Sequence, residues 1–177
     1  MTRIRVFIAD DHAVLRAGLR MLLGAQPDME VVGEAADGDE AVRAVVETRP
    51  DVALVDLTMP GSGGLKAIER IRQESPRTRV LVLTMHDGPA YLRAALAAGS
   101  SGYVVKSAAD AELLSAIRTV HRGRTVVDPA LAALLVQSAY GRKPVGGRGS
   151  GGGAASLLSP REREVLDLVA QGHTNQQ

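Results

Sequence analysis

The chain has 177 residues, 45% of them hydrophobic and 23% charged, with a formal net charge of +1. That composition excludes wholesale disorder, a collagen-like repeat and a coiled coil. No apolar run approaches the roughly 20 residues that span a bilayer, and zero cysteines exclude a disulfide framework or thiolate metal site and fit a reducing cytoplasm.

The first apolar run covers residues 4–9 and ends at Asp10, too short for the apolar region of a signal peptide. Leu15, Leu19, Leu22 and Leu23 follow at helical spacing and stop at Gly24 and Pro27. A weaker run at 31–36 precedes Val42, Val45 and Val46, which end at Pro50. The run at 52–55 precedes Leu65, Ile68 and Ile71, which end at Pro76. The run at 80–83 leads to Leu92, Ala95 and Leu96 before Gly99, and that at 102–105 to Leu113, Leu114, Ile117 and Val120 before Gly123. The runs lack in/out alternation, as strands covered by helices on both faces do. Five such strand–helix units predict an α/β fold: a five-stranded, doubly wound parallel sheet of order 2-1-3-4-5 with helices on both faces. A further helix is predicted from about 129 to 140.

Composition breaks at 141–153, where seven of thirteen residues are Gly, the signature of a flexible linker. From Gly141 onward there are five basic and three acidic residues, so the tail is near +2 and the body near −1. The sequence predicts three parts: residues 1–122, a helix and Gly-rich linker at 123–157, and a short segment at 158–177.

In a doubly wound sheet the site forms beyond the carboxyl ends of the strands. Asp10 and Asp11 follow the first strand, Asp56 ends the third, Thr84 the fourth and Lys106 the fifth. A lone Asp after a strand commonly caps the next helix, but three acids, a hydroxyl and a Lys at four strand ends exceed what capping asks for. With the order 2-1-3-4-5 the carboxylates converge, and each close pair repels by ~4 kcal/mol at an effective dielectric of about 20. A hard divalent cation removes that penalty, and Mg²⁺ is the usual one where phosphate is handled. Lys106 adds a cation and Thr84 a hydrogen-bond donor for phosphoryl oxygens. Asp56, flanked by cations, suits a nucleophile that accepts a phosphoryl group.

These residues carry a resemblance. Asp10-Asp11-His12, the stretch 52–60 ending Asp56-Leu57-Thr58-Met59-Pro60, Leu83-Thr84 and Gly102-Tyr103-Val104-Val105-Lys106 closely resemble the receiver domain of bacterial two-component response regulators, over residues 3 to about 122. The resemblance implies a flavodoxin-like receiver with Asp56 as phosphoacceptor. It implies Mg²⁺ held by Asp10, Asp11, Asp56 and the backbone carbonyl of Thr58, Thr84 and Tyr103 as a switch pair, and Lys106 as the phosphate-contacting cation. In the family that Lys is commonly followed by Pro, often in a cis peptide; here Ser107 follows.

In the segment 158–177, Ser159 suits an N-cap, Pro160 the first helical position and Glu162 a capping box. Val165, Leu168 and Val169 form an apolar face closed by Gly172. The segment resembles the opening of a LuxR-type helix-turn-helix, so the chain looks like a NarL/FixJ-family regulator. The sequence stops at Gln177, before the recognition helix such a domain inserts in the major groove. Promoter DNA is therefore expected as a partner of the full-length protein only, and specific DNA binding is not expected of residues 1–177. A cognate sensor histidine kinase, a homodimer formed on phosphorylation, no membrane and a cytoplasmic location complete the expectation.

Other features carry less. The stretch Gly61-Ser62-Gly63-Gly64 has no Gly-Lys-Ser/Thr behind it and reads as a loop, not a phosphate-binding P-loop. His12, His86, His121 and His173 show no ligand spacing and read as surface or loop residues, with His12 alone close enough in sequence to brush the acids. Two competing functions remain in view. A phosphatase with an aspartyl-phosphate intermediate usually has a second acid two residues beyond the nucleophile, where this chain has Thr58. A vestigial receiver that works without phosphorylation sits badly with an intact acid cluster and Lys106. The chain is therefore read as a non-enzymatic regulator that assists its own phosphorylation and dephosphorylation.

Overall fold

A computed structural model describes residues 2–140, with side chains to 138. The Gly-rich linker and the expected helix-turn-helix opening at 158–177 lie outside the described residues. The elements are β1 (Ile4–Ala9), α1 (Ala13–Gly24), β2 (Met29–Ala35), α2 (Gly38–Thr48), β3 (Val52–Val55) and α3 (Gly63–Glu74). They continue as β4 (Arg79–Thr84), α4 (Pro89–Ala98), β5 (Gly102–Val105), α5 (Asp110–His121), β6 (Val126–Val127) and α6 (Pro129–Tyr140). All strand pairs are parallel, in the order β2-β1-β3-β4-β5-β6.

The expected five-stranded order is present, and β6 adds a sixth strand at the edge. Two residues are too few for periodicity to register. They form a strand because β5 presents an open edge onto which Gly102 pairs with Val126 and Tyr103 with Val127. The expected helix at 129–140 is α6.

Each strand feeds two cores, because side chains alternate across the pleat. Val6 and Ile8, Val52 and Leu54, Leu81 and Leu83 face one side, where Leu19 and Leu23 of α1 and Leu113, Leu114, Ile117 and Val120 of α5 close over them. Phe7, Ala53 and Val55, Val80 and Val82, and Tyr103 face the other, under α2, α3, α4 and α6. Leu131, Ala132 and Leu135 bring α6 into that second core beside Leu92, Ala95 and Leu96 of α4. The fold thus runs past residue 122 without interruption. At Gly33 a Cβ would come within 2.8 Å of the Phe7 ring, at the register shift between Val6 and Phe7, so the close strand approach there excludes a side chain.

Helix α5 is tied to the loop before β2 by a forked ion pair. Arg118 Nε donates to Asp28 Oδ2 at 2.8 Å and Nη2 to Oδ1 at 2.9 Å. Hydrogen bonding from Arg118 holds the Asp28 carboxyl below the usual carboxylate range. A lowered folded-state pKa contributes stability above the unfolded value and loses it as pH falls through the folded one. Arg118→Gln should therefore lower the unfolding midpoint at neutral pH. The gap to wild type should narrow below about pH 4, where the unfolded Asp28 protonates, and close once the folded Asp28 protonates too. Urea unfolding of both proteins across that range checks it.

Candidate functional site

Parallel pairing in register brings the acids together. Ala9 pairs with Val55, and the ladder runs one step further, with the Asp56 N–H donating to the Ala9 carbonyl at 2.9 Å and the Asp10 N–H to that of Ala35 at 3.0 Å. Asp10 and Asp56 therefore leave adjacent strands side by side, both nearly fully buried. On the far strands Thr84 pairs with Val105, and the Lys106 N–H donates to the Thr84 carbonyl at 2.8 Å.

Lys106 closes the group. Its Nζ lies 2.6 Å from Asp10 Oδ2 and 2.8 Å from Asp56 Oδ2. Burial opposes its charge, but hydrogen bonds to the two carboxylates prevail and raise its pKa above the usual lysine value. The other oxygen of Asp56 accepts from the Thr58 N–H at 3.2 Å, and the Thr58 hydroxyl lies 3.3 Å from both carboxylate oxygens. Gly64 makes room for this loop, since a Cβ there would collide with the Asp56 carbonyl. The peptide after Lys106 is trans, as are all those described.

Asp10, Asp11, His12 and Asp56 each offer one ligand atom within 4.8 Å of the others. Three carboxylates against one ammonium leave a formal charge of −2 among those four groups, which one divalent cation balances. Oxygen donors with that charge are the chemistry of Mg²⁺ or Ca²⁺. The residues present fit a divalent ion.

Thr84 and Tyr103 meet at His86, which the sequence reads only as a surface or loop residue. The His86 N–H donates to Thr84 Oγ1 at 3.4 Å, and the Tyr103 hydroxyl donates to the His86 carbonyl at 2.6 Å. Tyr103 is fully buried, and burial, followed by the nearby charge of Asp87, pushes its pKa well above the ordinary phenol value. The His86 ring stacks on Tyr91 of α4, with centroids 4.0 Å apart. His12, read as a loop residue, lies with Nδ1 3.0 Å from Asp10 Oδ1 and 3.1 Å from Asp11 Oδ1. Adjacency to two acids was its only signal, and His86 gave none.

Comparison with known proteins agrees with this geometry. Residues 6–118 match the response regulator receiver domain. Oxygen regulatory protein NreC of Staphylococcus epidermidis is 44% identical over 173 residues, covering 97% of this chain and 79% of the relative. The crystal structure of a LuxR-family two-component response regulator from Aurantimonas sp. SI85-9A1 is similar with a TM-score of 0.73 and 42% identity, covering 77% of this chain and 98% of that one. The isolated REC domain of RcsB from Salmonella enterica serovar Typhimurium, solved in the presence of the phosphomimetic BeF3−, is similar at a TM-score of 0.69 and 31% identity, covering 76% and 99%. The chain belongs to the two-component response regulators, and within them to the NarL/FixJ type that NreC represents. Its described part contains the receiver domain.

Lys106 bridges the two buried carboxylates, so its removal takes the shared ammonium from both. Lys106→Met should cost about 3 kcal/mol of stability without metal. Asp56→Asn in the same background should recover part of that loss, giving a non-additive double-mutant cycle. Urea unfolding of the two single variants and the double variant measures the coupling.

Proposed function

We propose that Asp56 accepts a phosphoryl group from the phosphohistidine of a cognate sensor kinase. An Asp56 oxygen attacks phosphorus, the P–N bond to the kinase histidine breaks, and that nitrogen departs with the bonding pair. The observation that carries the reading is Asp56 buried at a strand end with one oxygen on Lys106 and the other on the Thr58 N–H. Asp10, Asp11, Asp56 and the Thr58 carbonyl would hold Mg²⁺, which supplies charge neutralisation for the transferring oxygens. Lys106 holds a cation beside the acceptor oxygen, and Thr84 supplies a hydroxyl from the neighbouring strand end. A new phosphoryl charge then offers Thr84 and Lys106 a partner that competes with their present contacts, and Tyr103 follows through His86, which it shares with Thr84. Thr58 offers no acid or base of its own to turn over a substrate, which favours a regulator over a phosphatase.

Downstream, we read 123–157 as helix and linker and 158–177 as the opening of a LuxR-type helix-turn-helix. The receiver would then govern dimerisation and promoter binding of the whole regulator, as a cytoplasmic protein. Among the described residues no helix is long and apolar enough to cross a membrane.

With acetyl phosphate and Mg²⁺, intact-protein mass spectrometry should show one hydroxylamine-sensitive phosphate. Asp56→Asn should show none, and full labelling of that variant would overturn the assignment. Mg²⁺ at one hundred times its Kd should add about 2.7 kcal/mol, a rise of several degrees in Tm. Asp11→Asn should lose most of that gain in a thermal-shift titration.

A further inference from the structure

We propose that His12 is a ligand of the ion at the strand ends, and that its nitrogen tilts the site toward imidazole-seeking divalent ions such as Co²⁺ and Zn²⁺. The inference rests on the reading that Asp10 and Asp11 hold a divalent cation, and it adds a donor of different chemistry.

The acid cluster has an inner and an outer half. Lys106 occupies Oδ2 of both Asp10 and Asp56, and the Thr58 N–H faces Asp56 Oδ1. The outer oxygens, Asp10 Oδ1 and Asp11 Oδ1, flank His12 Nδ1 at 3.0 and 3.1 Å. Two ligand atoms at right angles, each about 2.1 Å from an ion, lie about 3 Å apart. The nitrogen–oxygen spacings are therefore those of neighbouring corners of a coordination shell. The spread of 4.8 Å over all four ligand atoms needs a contraction of only a few tenths of an ångström, since atoms across an ion lie about 4.2 Å apart.

His12 is free to make the adjustment. Its backbone N–H is anchored on Asp10 Oδ1 at 2.8 Å, which fixes where the side chain starts, while the ring itself is 62% exposed. The neutral tautomer with its proton on Nε2 presents the Nδ1 lone pair to the ion. Two carboxylates and an imidazole make a donor set that suits Zn²⁺ and Co²⁺, whereas Mg²⁺ is served by carboxylate, carbonyl and water. If His12 instead only donates a hydrogen bond to the two acids, its loss affects every divalent ion alike.

The experiment compares MgCl₂, CoCl₂ and ZnCl₂ by isothermal titration on the 177-residue chain, His12→Gln and Asp11→Asn. Circular dichroism establishes that the variants are folded. The Co²⁺-to-Mg²⁺ affinity ratio should fall at least about tenfold in His12→Gln. Asp11→Asn should weaken both ions. The Co²⁺ form of the wild type should show a hyperfine-shifted, solvent-exchangeable imidazole N–H proton by NMR that His12→Gln lacks. An unchanged ratio with the resonance retained would overturn the His12 assignment and leave the carboxylate site standing. A wild-type chain that binds none of the three ions would overturn both.

Discussion

The register of β1 against β3 is the constraint on which the rest depends. A parallel sheet puts every carboxyl end on one edge, and pairing Ala9 with Val55 makes the next residues, Asp10 and Asp56, neighbours. A one-residue slip would exchange the two faces of the strand, sending Val6 and Ile8 to the α2–α4 side and Phe7 to the other. The two hydrophobic cores thus hold the register, and the register holds the carboxylates in a cluster that repels itself. Lys106 relieves the inner part of that repulsion across strand order rather than along sequence, since it sits 50 residues from Asp56.

The same strand ends are joined to the far side of the fold. Thr84 and Tyr103 both hydrogen-bond to the backbone of His86, whose ring lies on Tyr91 at the start of α4. The other flank of α4 carries Leu92 and Leu96 into the core that takes Leu131 and Leu135 of α6, and Arg93 donates to Ser138 at 3.1 Å. A contiguous chain of contacts therefore connects the acid cluster to the last described helix. In the proposed function, the loop 84–88 is the segment on which a charge change at Asp56 would act.

Burial also explains why this cluster keeps so many polar groups. Asp10, Asp56 and Thr84 are among the few buried polar residues, and each is satisfied by a partner on another strand or its own loop. A buried ion pair of this kind contributes little net stability over an apolar replacement.

Much of this was legible in the residues. Continuous apolar runs such as 52–55 and 102–105 encode strands covered on both faces, because burial on two sides leaves no polar position. Leu92, Ala95 and Leu96, or Leu113, Ile117 and Val120, encode helix faces by a period that only local geometry sets. Acids after the first and third strands, with Thr84 and Lys106 at the fourth and fifth, then mark where a doubly wound sheet collects its chemistry. Tertiary structure alone decided the remainder: β6 on the edge of β5, α6 against α4, Arg118 reaching Asp28 across 90 residues, and His86 between Thr84 and Tyr103. Periodicity and capping act over a turn or a strand and so are written in consecutive residues. Which edge is open, and which distant side chains meet there, follow only from strand order and packing.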